Sequence, residues 1–242
     1  MTNISYVGRT NTPQKVAMNQ PATSRTQRIL VIGRSPSVIL EAADILRSKG
    51  FHADASNQFD EVLTEYDTKN LDVVVFGGMV PPNARQHLRK EISKVNDHVT
   101  FLQGLAGIPG LVATQVEGVM ATVTDDHVVT YDPRKRTVQL TLQEPAQVVV
   151  EAWWATSFTP PEPTSTSMRV IDRHEDSGEY LIPLPAEVPP AASFVTVSVG
   201  PAVHAFTVGA MPEALMRVGQ TRDPAQPPPL PPVRAVATHH TD

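Results

Sequence analysis

The chain has 242 residues, of which 40% are hydrophobic and 19% charged, so it can bury a core and is not wholly disordered. Its 20 Lys and Arg against 25 Asp and Glu give a net charge of −5, which argues against a general binder of nucleic acid or anionic membranes. The chain contains no cysteine, which excludes disulfides, thiol catalysis and thiolate-bound metals.

Residues 1–27 are predicted to form a flexible N-terminal arm. They contain three basic residues and no acidic one, and they have no apolar run long enough for the core of a signal peptide. No stretch of the sequence approaches the roughly 20 apolar residues that a membrane span needs. We therefore expect a cytoplasmic protein without a membrane span.

Residues 28–121 alternate apolar strand patterns with amphipathic helix patterns. Prolines stand where helices should begin, as at Pro36, Pro82 and Pro109, because proline fits the first helical turn. Four strand–helix units in this length predict a parallel four-stranded sheet with flanking helices. The predicted strands are RILVIG (28–33), FHADA (51–55), LDVVVFGG (71–78) and HVTFLQG (98–104).

The run RILVIGRSPSVILEAADILRSKG, followed by LDVVVFGGMVPP, resembles the receiver domain of response regulators, which has a flavodoxin-like fold. The family carries a magnesium-binding acidic pair after the first strand and a phosphoacceptor aspartate at the end of the third. In this chain those positions fall at Gly33 with Arg34 and at Gly77, and the family's lysine-bearing fifth strand is missing. Phosphoryl transfer needs a carboxylate nucleophile and a metal, so we expect a pseudo-receiver that is not phosphorylated in the family's way.

The carboxyl edge of this predicted sheet is a candidate ligand site. Backbone amides at the start of the first helix, together with Arg34, could hold an anion or a small ligand. The alternative interpretation is that the glycines end strands and Ser35 caps the helix. VIGRSPS has one glycine where a dinucleotide-binding fingerprint needs three. The candidate residues are Gly33, Arg34, Ser35, Gly77, Gly78 and Gln103.

Residues 122–209 show a period of two and frequent turn signals, which predict seven short strands in an antiparallel β-sandwich. The stretch RVIDRHEDSGEYLIPLPAEVPPAASFVTVSVGPAVHAFTV resembles the second half of a fibronectin type III or immunoglobulin-like domain, with Phe194 as the aromatic residue at the corner of the sixth strand. Trp153 and Trp154 are adjacent on one strand and should point to opposite faces. One of them can lie in the core, and the other should face solvent, the first domain or a partner.

Two clusters, Asp125-Asp126-His127 and His174-Glu175-Asp176, contain metal-ligating residue types. Each lies in a predicted turn, and three consecutive residues cannot all converge on one ion, so we interpret both clusters as solvated. The sequence predicts no metal, no cofactor and no catalytic set.

Residues 210–242 are proline-rich and are predicted to be a disordered or polyproline II tail. Pro229, Pro232 and Arg234 fit the PxxPxR form that SH3-like grooves bind, and the alternative is a simple spacer.

The sequence thus predicts an α/β domain followed by an all-β domain, in a non-catalytic interaction, scaffold or regulatory protein. Its expected partner is another protein or a second copy of itself, and not nucleic acid. The alternative is a sensor of a small ligand or anion, possibly enzymatic, at the carboxyl edge of the sheet.

Overall fold

The computed structural model of the chain describes residues 26–104, 107–121, 126–157 and 164–209. Most of the predicted N-terminal arm and the whole proline-rich tail, with Pro229, Pro232 and Arg234, lie outside the described residues. We refer to residues 26–121 as the α/β part and to residues 126–209 as the β part.

The α/β part contains a parallel four-stranded sheet with flanking helices, as the sequence predicts, and the strand order in the structure is β2-β1-β3-β4. One prediction differs: α2 has only four residues and is followed by a 3₁₀ turn, because Tyr66 adopts an extended backbone and ends the helix. The elements are β1 (Arg28–Ile32), α1 (Pro36–Ser48), β2 (His52–Ser56), α2 (Val62–Glu65), the 3₁₀ turn (Thr68–Asn70), β3 (Val73–Phe76), α3 (Pro82–Ser93), β4 (Thr100–Gln103) and α4 (Pro109–Met120).

Helices cover both faces of the parallel sheet. On one face, α1 and α4 pack over Val73 and Val75, and on the other α2 and α3 pack over Val74 and Phe76. Strand β3 is therefore buried on both sides, which explains why its sequence is a continuous apolar run rather than an alternating one.

The β part contains two antiparallel sheets, one of four strands in the order β11-β10-β7-β8 and one of three strands in the order β5-β6-β9. Strands β7 and β8 are longer than predicted, with 12 residues each. The strands are β5 (His127–Asp132), β6 (Thr137–Leu142), β7 (Ala146–Ser157), β8 (Thr164–Glu175), β9 (Gly178–Pro183), β10 (Ser193–Val199) and β11 (Ala202–Val208).

The two antiparallel sheets share one hydrophobic core. Leu140 and Ile182 enter it from the three-stranded sheet, and Val150 and Val197 enter it from the four-stranded sheet. Alternate residues of each strand point inward, as expected for sheets with one face on a core.

Helix α4 also packs against the outer face of the four-stranded sheet. A Cβ at Gly118 would lie 3.0 Å from the Cβ of Val203 on β11, so helix and strand are in close contact. Ile108 and Leu111 form a small apolar cluster with Phe194 of β10 and with Trp153 of β7. Strand β10 is therefore buried on both faces. In the described part of the chain, no helix has the length and apolarity to cross a membrane.

Candidate functional site

The carboxyl ends of β1 and β3 lie side by side. The register pairs Ile32 with Phe76, so Gly33 and Gly77, which follow them, are neighbours. Strand β2 pairs with β1 on one side and β4 with β3 on the other. The connection after β1 and the connection after β3 therefore leave these two ends in opposite directions. Ligands of open α/β sheets bind at such a point.

Backbone and side-chain atoms fill the space between these strand ends. A Cβ at Gly77 would lie 3.3 Å from the Cα of Gly33, and a Cβ at Gly33 would lie 2.5 Å from Cγ2 of Ile39. The Gly33 amide donates to the Ser56 carbonyl (3.1 Å), and the Gly77 amide donates to the Ile32 carbonyl (2.7 Å). Both amides thus belong to sheet hydrogen bonds and not to an anion cradle.

Gln103 organises the same edge from β4. Its Nε2 donates to the carbonyl oxygen of Phe76 (2.9 Å), and its Oε1 accepts a hydrogen bond from Nη1 of Arg85. Nε2 of Gln115 on α4 donates to the Gln103 carbonyl (3.4 Å). Arg85 is not among the residues that the sequence predicts for this site; the signal that could have identified it is its place near the start of the helix that follows β3.

The other predicted residues also lie at this edge. Ser35 is buried before α1, and its carbonyl accepts a hydrogen bond from the Ile39 amide (3.2 Å). Arg34 is half-buried and Gly78 is exposed. Among the described residues directly after the four strands, no side chain is acidic. The edge therefore carries two arginine residues, Arg34 and Arg85, and no acidic residue directly after the strands.

The two tryptophans point to opposite faces of β7. Trp154 packs against the core between the antiparallel sheets, whereas Trp153 packs against α4. Nε1 of Trp153 donates to Oγ1 of Thr196 (2.9 Å), and that hydroxyl donates to the Glu151 carbonyl (3.3 Å). The Trp153 ring is thus held at the junction of the α/β and β parts.

A histidine pair joins the two antiparallel sheets. Nε2 of His127 on β5 lies 2.9 Å from Nε2 of His204 on β11, and Nδ1 of His127 lies 2.8 Å from a carboxylate oxygen of Asp126. The His127 side chain is only 2% exposed, so its interpretation as part of a solvated turn is wrong. Spacing could not reveal its partner, which is 77 residues away.

The second candidate metal cluster is solvated only in part: His174 and Asp176 are exposed, but the Glu175 side chain is 12% exposed, and His174 and Glu175 lie on β8 and not in the predicted turn. Glu175 forms an ion pair with Arg173 (2.6 Å). Within the described segments, no group of three or more histidine and carboxylate side chains could hold a metal ion.

No protein-family model and no curated protein matches the chain. Among solved structures, the chain is similar to a beta-glucosidase from Listeria innocua in complexes with gluconolactone and with glucose, each at 11% identity and a TM-score of 0.28. Its complex with isofagomine gives 10% identity and a TM-score of 0.24. Each alignment covers 77% of this chain and 46% of the beta-glucosidase chain, so this chain spans less than half of that protein. These values assign neither a fold nor an activity.

Proposed function

We propose that the chain is a non-catalytic interaction protein. A receiver-like, flavodoxin-like domain at residues 28–121 and an immunoglobulin- or fibronectin-like β-sandwich at residues 122–209 supply its binding surfaces. The observation that carries the proposal is the contact between Gly33 and Gly77, which occupies the place where a receiver keeps its acidic residues. The strand ends offer no carboxylate nucleophile, so regulation by phosphorylation there is not expected.

The order and layering of the elements support the receiver-like assignment. A receiver sheet that lacks its fifth strand has the strand order β2-β1-β3-β4. In a receiver without its fifth strand, the last helix would follow β4 directly and pack beside α1. Helix α4 of this chain follows β4 and packs beside α1. The β-sandwich assignment is supported by two antiparallel sheets that share one core.

Helix α3 offers the surface that we propose for docking. Its inner face buries Leu88 and Ile92, whereas His87, Arg89 and Lys90 are exposed. The Arg89 guanidinium also lies 5.5 Å from the centre of the Phe76 ring and 5.3 Å from that of Phe101, so its position is restrained. The exposed face of α3 is therefore basic and suits an acidic partner surface.

The second half of the chain carries the complementary net charge. Residues 122–209 carry 11 acidic and 5 basic residues, so a second copy of the chain can complement α3. We propose self-association between the α3 face of one copy and the acidic β-sandwich of another.

Sedimentation of the full chain at low and high salt tests this proposal. We expect a concentration-dependent oligomer that weakens with salt and that acetyl phosphate with Mg²⁺ leaves unchanged. Lys90→Glu should raise its dissociation constant by about 3- to 10-fold at low salt, because a favourable exposed charge pair becomes a repulsive one. Lys69→Glu, which changes an exposed residue of the 3₁₀ turn outside both α3 and the β-sandwich, should have little effect. A monomer at every concentration would overturn the self-association.

The two arginine residues at the carboxyl edge favour a second candidate function, a sensor of a small anionic ligand. A thermal-shift screen with nucleotides, inorganic phosphate and acyl metabolites separates it from the first. A ligand-induced rise in the melting temperature that Arg34→Ala abolishes would favour the sensor, whereas no response would favour the interaction protein.

A further inference from the structure

A cleft of about 350 Å³ lies where the α/β part meets the β part. One wall consists of the outer side of α1 and the start of α4, and the other consists of β7 and β8. Ligand pockets commonly form between packed units and have volumes of about 300–1,000 Å³, so this cleft has the size for a small ligand.

Trp153 gives the cleft an aromatic wall. The indole N–H is hydrogen-bonded to Thr196, and a Cβ at Gly110 would overlap the ring, so helix and ring are in close contact. The ring is therefore held in one orientation before any ligand arrives. A ring that is already ordered loses little conformational freedom when a ligand packs on it.

The charged side chains of the cleft are balanced. Glu41 and Glu151 are acidic, and Lys49 and Arg169 are basic. Nζ of Lys49 is 2.8 Å from a carboxylate oxygen of Glu117.

Arg169 is paired as well. Its Nη1 lies 2.7 Å from Asp172 and its Nη2 lies 3.9 Å from Glu151. An ionic ligand would therefore meet both signs of charge and would have to compete with existing ion pairs, so the lining favours a neutral ligand.

The lining also mixes hydrogen-bond donors with acceptors. Ser165 and Ser167 lie two residues apart on β8 and so share a face with Arg169. Serine hydroxyls both donate and accept, the Glu151 carboxylate accepts, and the Arg169 guanidinium donates. A ligand with several hydroxyl groups, each of which also donates and accepts, matches this set.

We propose that this cleft binds a neutral polyhydroxylated ligand, a small sugar or polyol. Its C–H surface packs on Trp153, and its hydroxyls bond to Glu151, Arg169 and the β8 serines. This binding site is additional to the proposed docking surface on α3 and does not depend on it.

The test uses the full chain with Trp154→Phe, which leaves Trp153 as its single tryptophan. Glucose, maltose and myo-inositol are titrated while Trp153 emission is recorded. Concentrations stay below about 10 mM, where the general stabilisation of proteins by excluded sugars is negligible. Glycine, lysine and glutamate are titrated in parallel as zwitterionic and charged probes. We expect a saturable emission change with at least one polyol and none with the amino acids.

Two variants locate the ligand. Glu151→Gln and Ser167→Ala should each weaken polyol binding, the first by about tenfold because it replaces a charged acceptor. Glu179→Gln, which is exposed on the three-stranded sheet, should bind as the parent does. If Trp154→Phe does not fold, thermal shifts of the otherwise unchanged chain replace the emission.

Three results would overturn the proposal. They are the absence of saturation by any polyol, saturation by the amino acids instead, and a polyol response that survives in both cleft variants.

Discussion

At the scale of single residues, the hydrogen bond between His127 and His204 depends on how many protons the two rings carry. In the tautomer whose Nδ1–H donates to the Asp126 carboxylate, Nε2 of His127 accepts a hydrogen bond from Nε2–H of neutral His204. When both rings are cationic, both Nε2 atoms carry protons and the hydrogen bond is lost. Burial, and secondarily His127, lower the pKa of His204 below its ordinary value.

This pair predicts a loss of stability in acid. Because the pKa of His204 is lower in the folded state, the unfolded chain binds more protons, and stability falls as the pH falls. The contribution is complete above the unfolded pKa of about 6.5 and is lost as the pH decreases through the lowered folded value. Urea unfolding between neutral pH and pH 5 should show this decrease in the parent, and His204→Gln should reduce it.

His98→Gln serves as the matched control, since the His98 side chain is 93% exposed. It should keep the pH dependence of the parent chain. An equally steep decrease in His204→Gln would show that other groups cause the loss in acid.

At the scale of elements, α4 is held between two different partners. On one side Val112 and Val116 pack with the core around α1, and on the other Gly110 and Gly118 approach the four-stranded sheet. Gly118 lies inside α4, where glycine costs about 0.5–1 kcal/mol relative to alanine, and Gly110 lies in the first turn, where the cost is smaller. The presence of both glycines therefore needs a compensating contact. The close approach of Trp153 and Val203 provides it.

The variant Gly110→Ala tests this contact, because helix propensity and overlap with Trp153 predict changes of opposite sign in the free energy of unfolding. Helix propensity alone would stabilise the variant, but overlap of the new methyl group with Trp153 should destabilise it by about 1–3 kcal/mol. Urea unfolding of the parent and the variant measures the difference.

A double-mutant cycle provides the control. In a Trp153→Leu background the overlap is relieved, so Gly110→Ala should become neutral or stabilising. Destabilisation by the same amount in both backgrounds would contradict the contact.

The sequence predicts most elements because their signals are local. Strand β3 is a continuous apolar run, α1 and α4 begin at prolines, and the strands of the β part show a period of two. Local sequence patterns fail where contacts with neighbouring elements determine the backbone conformation, as in α2, which has only four residues. The contacts of His127 with His204 and of Trp153 with α4 join residues far apart in the chain, so no spacing rule could reveal them. The sequence pattern identifies the glycines at the strand ends, but it does not show that Ile39 fills the space beside Gly33.

At the scale of the whole molecule, the junction around α4 should make the two parts depend on each other. Ile108 and Leu111 of the α/β part are buried against Phe194 and Trp153 of the β part. Separation exposes these apolar side chains, and full exposure of each large one costs about 1.5–3 kcal/mol. The isolated parts should therefore be less stable than they are in the full chain.

Fragments spanning 26–121 and 122–209 test this coupling. The melting temperature of each fragment should lie at least several degrees below that of the full chain. In domains of this size a loss of about 1 kcal/mol in stability lowers the melting temperature by about 4–8 °C. With Trp154→Phe in the second fragment, mixing should shift Trp153 emission to the blue as the ring is buried again. The same mixture with Gly110→Ala in the first fragment should recover less of that shift, because the methyl group prevents close approach. Fragments that unfold at the temperature of the full chain, and whose emission is unchanged on mixing, would show that the two parts are independent.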